Sequence, residues 1–500
     1  MDPPRPASDD RGDSVGPLGA GEVRRRAASG AAVLGARGAL IYGLGIVASL
    51  ILARLLVPRD FGLVALGSVV LVAGTQLGEG GVGAVLIRRE RPPEREELEA
   101  LNGFQLAVTG LVALVCAGAA LPFGRDGLVV ASMVASLPVT ILRAPSVIVL
   151  ERQLQFKAIA TTDVVEAAAY YLWALVTVAL GFGVWGLATA AVVRAVVGTG
   201  TMLTVGPLGL LRPRWSWRHT RPLLRFGAKF QATQIVALAR TQGLNVAVAA
   251  VGGIATLGVW NLAWRVLQVP ALLFVAVGRV AYPAMSRLLD AGEDPRATIE
   301  RALGTLAVLT GAVIVALVGF APALPAVVGA GWNDVPAVLL WSGIALVLSA
   351  PVTVAAAGYL FAADDPGAVA WAALASALVW LAVTVPLLPA LGAPAVGLGW
   401  IAAGLVDGVL LARTVVSRSR AAILRPLAAP TAVALAAVAL AWLAADSLPG
   451  TIRGGVLGVT AGGVLLLAGL AAFSRSAVRD ARTLMRLGLG SLRGPGSVPG

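Results

Sequence analysis

The side chains of this 500-residue chain best placed to do chemistry are cations that recur inside long apolar runs: Arg37, Arg54, Arg143, Arg194, Lys229, Arg240, Arg265 and Arg279. A guanidinium at bilayer depth costs at least about 2.5 kcal/mol unless water or an anion meets it. The chemistry this set offers is the holding of an anion rather than the making of a bond. What the chain lacks narrows the field further. Cys116 is its single cysteine, which excludes an internal disulfide, a CxxC pair and a thiolate metal cluster. His219 is its single histidine, so no HExxH zinc site exists. Lys157 and Lys229 follow Phe156 and Ala228, and no GxxxxGK[ST] phosphate loop can be written around either. No metal and no cofactor are expected.

One string, Gly78-Glu79-Gly80-Gly81-Val82-Gly83, has the GxGxxG form. It lies within a hydrophobic run and does not follow a strand, so it reads as small-residue helix packing rather than a dinucleotide turn.

The elements that must carry these residues follow from composition. The chain is 58% hydrophobic and 13% charged, whereas a soluble domain carries about 25% charged residues. A membrane span needs about 20 mostly apolar residues. Cutting at charge clusters and at Pro/Gly breaks gives fourteen candidates: 29–55, 61–88, 98–121, 127–150, 161–182, 184–206, 223–251, 254–285, 297–319, 335–361, 366–388, 394–416, 424–445 and 451–473. The fold class is therefore all-α and polytopic: two six-helix bundles, 29–206 and 223–416, joined by a basic linker, 207–222. Two extra helices occupy 417–473. Residues 1–28 are too long and polar for the n-region of a signal peptide and are expected as a disordered cytoplasmic tail. Residues 474–500 form a second basic tail.

Orientation comes from the distribution of Arg and Lys, which are retained on the cytoplasmic side. With the N-terminus inside, the inner segments hold 28 basic residues; the outer loops hold Arg59, Arg125 and Arg453. Both termini are expected in the cytoplasm. The short loops leave no room for an extramembrane catalytic domain. The basic, aromatic linker from Arg212 to Pro222 sits between spans, which makes it a contact for lipid headgroups and not for nucleic acid.

The two bundles are related. At an offset of 196 residues, Phe61-Gly62-Leu63 with Leu66 falls on Leu257-Gly258-Val259 with Leu262, each where a turn starts the second helix of a bundle. Two parallel repeats with a site between them are a plan of alternating-access carriers.

Depth then sorts the cations. Arg54, Arg279 and Lys229 are close enough to helix ends to snorkel. Arg240 and Arg265 each lie roughly 11 residues from the turn at Gly252-Gly253, about 16 Å along a helix and near the midplane. Asn261, Arg265, Gln268 and Arg279 follow helical spacing, as do Lys229, Thr233 and Arg240. Arg194 lies at a similar depth. Internal ion pairs with Glu79, Glu166 or Asp407 are one arrangement; a water-filled cationic cavity is the other. The deep cations outnumber these carboxylates by eight to three, which favours the cavity. Arginine's planar fork suits the two oxygens of a phosphate.

The stretch from Leu52 through Arg54, Pro58, Arg59, Asp60 and Phe61 to Gly62, then Gly78 to Arg88, and the stretch from Leu257 through Trp260-Asn261, Trp264-Arg265 and Pro270 to Gly278-Arg279 and Tyr282-Pro283, together resemble the polysaccharide transporters. These are the O-antigen and exopolysaccharide flippases of the multidrug/oligosaccharidyl-lipid/polysaccharide exporter superfamily, and the likeness spans roughly residues 30–420. The resemblance implies a V-shaped two-bundle carrier of the bacterial inner membrane. Its cargo would be a polyprenyl-diphosphate-linked oligosaccharide for lipopolysaccharide, capsule or exopolysaccharide, and its partners membrane lipids and a polysaccharide polymerase or glycosyltransferases. Relatives often carry an acidic residue one turn after the arginine matching Arg240; this chain has Thr241-Gln242-Gly243-Leu244-Asn245 there.

The expected roles follow. Arg240, Arg265 and Arg194 hold diphosphate, with Asn261 and Gln268 beside them; Arg143, Lys229, Arg37 and Arg279 form the inner entrance. Glu79, Asp407 and Glu166 balance charge or couple to an ion. No catalytic residue is assigned. The other functions weighed are a multidrug efflux carrier, which needs an acidic cavity for organic cations, and a membrane glycosyltransferase or polymerase, which needs more carboxylates than the outer loops offer.

Overall fold

The computed structural model describes residues 20–89 and 91–474, together with Arg479. Every regular element among the described residues is helical. The first helix, α1 (Ala20–Leu55), begins inside the tail expected to be disordered up to residue 28, in a stretch of Ala, Glu and Arg that favours helix. The rest of that tail, and most of the expected C-terminal tail, lie outside the described residues.

Helix α2 (Pro58–Glu79) starts with proline, whose missing N–H has no partner to lose in a first turn. The Val57 N–H donates to the Asp60 carboxylate at 3.3 Å and closes that end. Gly80 and Gly81 hold φ of 60° and 66° and stop the helix, a conformation that glycine adopts without a Cβ clash. Helix α3 (Val82–Arg88) follows them. The single span expected over 61–88 is thus corrected to two helices.

Helix α4 (Arg95–Ala120) ends in a short 3-10 turn at Leu121–Phe123. The return passage is broken into α5 (Gly124–Val134), α6 (Leu137–Ile141) and α7 (Ala144–Arg152). The breaks precede Pro138 and Pro145, which cannot donate to the helical ladder. Helices α8 (Phe156–Ala179) and α9 (Val184–Val205) complete the first half. Thr199 of α9 donates its hydroxyl to the Val139 carbonyl at 2.8 Å, the kind of partner a broken helix needs in an apolar medium.

Residues 207–216 cross to the second half without regular helix. Asn102 Nδ2 donates to the Leu211 carbonyl at 3.1 Å and the Arg214 N–H to the Glu99 carbonyl at 3.0 Å. Helix α10 (Trp217–Ala247) therefore starts within the expected linker. A π turn, Val248–Gly252, leads into α11 (Ile254–Asp290). Then come α12 (Arg296–Phe320), α13 (Leu324–Val328), α14 (Val335–Ala362), α15 (Pro366–Leu391) and α16 (Pro394–Ser419). Helices α17 (Leu424–Asp446) and α18 (Ile452–Phe473) pack on each other and on α12.

Twelve described helical segments are long and apolar enough to cross a membrane, and the chain is a multi-pass membrane protein. The fourteen expected ranges are all helical over most of their length. The difference in count has two sources. The segment Arg95–Ile141 contains the turn after α4, and α11 is not among the twelve.

The halves meet where α2 crosses α11. Leu52, Phe61, Leu257, Trp260 and Trp332 are buried around that crossing. Trp332 donates from Nε1 to the Ala53 carbonyl at 2.8 Å, and Arg54 donates to the Val327 carbonyl at 2.9 Å. Gly62 packs on the Ile254 carbonyl and Gly258 on the Pro58 carbonyl, so closely that a methyl group on either glycine would overlap backbone. At the other end of α2, Gly227 of α10 lies against the Gly80 and Gly81 backbone, and Gln231 Nε2 donates to the Gln76 carbonyl at 2.8 Å. Both ends of α2 are therefore held by second-half helices, α11 at the Pro58 end and α10 at the Gly80 end.

Candidate functional site

The break between α6 and α7 places Arg143 at the start of α7, where its guanidinium reaches Glu166 of α8. Arg194 of α9 donates to the same carboxylate from Nη2 at 2.8 Å and from Nε at 3.2 Å. Glu166 is 4% exposed, whereas Arg194 keeps 54% of its side chain open. Gly198 of α9 makes the room: a methyl group there would overlap both the Glu166 carboxylate and the Arg143 guanidinium. One turn before Glu166 on α8, Asp163 faces Arg37 of α1, with Nε 2.8 Å from Oδ2 as an ion pair outside hydrogen-bond angles. Three expected cavity cations thus meet two carboxylates, and one positive charge remains. Asp163 was not among the expected carboxylates, although its place three residues before Glu166 puts both on one helix face.

A cavity of about 420 Å³ opens beside this group, lined by Glu79, Gln105, Thr140, Arg143, Glu151 and Asp163. Phe230 and Gln234 of α10 border it. Gln105 is 1% exposed and its Oε1 has no hydrogen-bond partner among the described residues. Glu151, one residue past the expected span 127–150, lies within α7. Glu79 thus lines a cavity bordered by helices of both halves.

Arg265 lies on the side of α11 that meets the first half. Its Nη1 donates to Ser49 Oγ of α1 at 2.6 Å and its Nε to Asn261 Oδ1 at 3.4 Å. Tyr170 and Tyr171 close the same small space of about 10 Å³. No carboxylate lies within ion-pair distance of Arg265 among the described residues.

Arg240 is exposed on α10, and Asp407 lies on α16. Asp407 accepts the Thr353 hydroxyl of α14 at 2.7 Å. Arg240 and Arg265 therefore belong to different surroundings despite their equal depth, because equal depth on neighbouring helices does not fix the direction of a side chain. Gln268 is half-buried on the Asn261 side of α11. The side chains of Lys229 and Arg279 lie outside the described residues.

Four tryptophans were missed as a group. Trp260 and Trp264 of α11, Trp380 of α15 and Trp400 of α16 converge, with Trp380 and Trp400 stacked at 5.1 Å and Trp264 5.8 Å from Trp400. Only the pair four residues apart on α11 was visible in the sequence.

The family described as "Polysaccharide biosynthesis protein" matches residues 51–337. The lipopolysaccharide biosynthesis protein WzxC of Escherichia coli (strain K12) is 25% identical over 332 residues, covering 63% of this chain and 66% of that protein. The chain thus spans just under two thirds of this relative's length. Among solved structures, lipid II flippase MurJ in an inward closed conformation superposes with a TM-score of 0.70 at 13% identity, over 88% of this chain and 98% of MurJ. An inward-facing multidrug resistance MATE family transporter of the MOP superfamily gives 0.55 at 16% identity, over 76% and 95%. These two likenesses show a shared fold. The match over more than half of its length makes this chain a member of the polysaccharide biosynthesis protein family.

Proposed function

We propose that the protein is a flippase that moves a polyprenyl-diphosphate-linked oligosaccharide across the bacterial inner membrane for surface polysaccharide synthesis. The observation that carries this reading is Arg265, a deep guanidinium held by the neutral groups of Ser49 and Asn261 and left without a carboxylate among the described residues. Such a charge inside a membrane protein calls for an anion. The net positive group of Arg37, Arg143 and Arg194 with Asp163 and Glu166 adds a second attraction for it. Family membership and the names of WzxC and MurJ point the same way.

In this reading, Arg265 and Arg194 take the diphosphate as the halves part at one end of α2, and Arg240 joins them when α10 leaves the Gly80 end. Arg143 and Arg37, with Lys229 and Arg279, guide cargo inward. Glu79 in the first half and Asp407 in the second are the carboxylates that exchange a coupling ion. The Gly80 end faces the cytoplasm, with both chain termini on that side. The bundles 29–206 and 223–416 are the rocking bodies.

The test is replacement of Arg240 and Arg265 by alanine in the producing cell. Lipid-linked oligosaccharide should accumulate on the cytoplasmic leaflet and surface glycan should vanish. Normal surface glycan at normal protein levels would overturn the reading.

A further inference from the structure

Trp264 differs from the tryptophans around it. Trp260 is 3% exposed and donates to Asn245 Oδ1 at 3.2 Å; Trp380 donates to the Val396 carbonyl at 2.9 Å. Trp260 is a partnered core residue, and Trp380 is partnered and half-buried against the core. Trp264 is 37% exposed, and Trp400 beneath it is half-buried against Trp380. Asn261 lies three residues before Trp264 and Gln268 four after it, so the open indole stands beside these two amides on α11. A tryptophan turned to lipid would not share its face with two amides.

The surface of an indole ring is electron-rich. It attracts the polarised C–H bonds on the face of a pyranose ring, while the ring's hydroxyls point sideways to hydrogen-bonding groups. Trp264 offers that ring, and its stack with Trp400 and Trp380 holds it in place, which lowers the cost of ordering it on binding.

We propose that Trp264, backed by Trp400, is the stacking platform for a sugar of the lipid-linked oligosaccharide, with Asn261 and Gln268 bonding its hydroxyls. This rests on the flippase reading and adds to it a site for the glycan, next to the arginine assigned to the diphosphate. The platform sets a preference for cargo that carries a sugar over the bare lipid diphosphate.

Purified protein in lipid nanodiscs is titrated with two probes: undecaprenyl diphosphate, and lipid-linked oligosaccharide extracted from the producing cell. Trp264→Leu should weaken the oligosaccharide-bearing probe about tenfold and leave undecaprenyl diphosphate within about twofold of the unaltered protein. Trp264→Phe should retain most of the sugar-dependent gain. Arg265→Ala should weaken both probes. Equal binding of the oligosaccharide-bearing probe by Trp264→Leu and the unaltered protein overturns the platform, as does an equal loss for both probes. If the unaltered protein binds neither probe, the flippase reading itself fails, so the two failures are distinct. Retained binding of the bare diphosphate shows that the leucine variant is folded.

Discussion

Gly62 and Gly258 each rest on the carbonyl of the residue four places before the other, Gly62 on Ile254 and Gly258 on Pro58. The offset of 196 residues that aligns the two halves also exchanges these two contacts, so a local two-fold axis passes between the glycines. Overpacking of this kind costs about 1–3 kcal/mol. Gly258→Ala should therefore push α11 off α2 at the Pro58 end. A cysteine placed at Ser49, which is 1% exposed, should then react faster with a maleimide in a protein carrying Cys116→Ser. Unchanged labelling would mean that the crossing does not depend on the two glycines.

Gly198 should act through the ion-paired group it makes room for. Gly198→Ala is expected to destabilise the protein by about 1–3 kcal/mol. Glu166→Ala, which leaves two guanidinium groups facing each other, should cost about 3–5 kcal/mol. The two changes made together should fall well short of their sum, because residues in one network do not act independently. Thermal unfolding in detergent reads all three variants, and strict additivity would separate Gly198 from Glu166.

Trp332→Phe gives a contrast. It removes the donor from the Ala53 carbonyl while keeping an aromatic ring against Phe61, whose centroid lies 5.0 Å away. The unpaired carbonyl should cost about 1–3 kcal/mol of stability. Surface glycan should persist in cells whose protein level is restored. Loss of glycan at full protein level would place Trp332 in the path of the cargo.

Hydropathy predicted the helices closely because long apolar runs leave the backbone one way to satisfy its hydrogen bonds. The α2 break escaped that signal: Gly80 and Gly81 lie in an apolar run, and only their positive φ ends the helix. The packing expected of the glycine string is seen at Gly78, which lies against Thr109, and at Gly81, which meets Gly227. Partner choice was less legible. Arg143 and Arg194 stand 23 and 28 residues from Glu166, and nothing in their spacing says that one carboxylate serves both. The count of deep cations overstated the free charge because Asp163 was not weighed against Arg37. Trp380 and Trp400 belong to separate helices, so their meeting with Trp264 depends on bundle packing that no single segment encodes.

Because α11 holds the Pro58 end of α2 and α10 the Gly80 end, a single rod of 22 residues bears both seals. Under the proposed cycle, cargo leaves by lifting one helix from that rod while the other stays seated. In that cycle such a protein would act as an airlock, passing a large anionic lipid while keeping the cell's electrical potential from discharging through it.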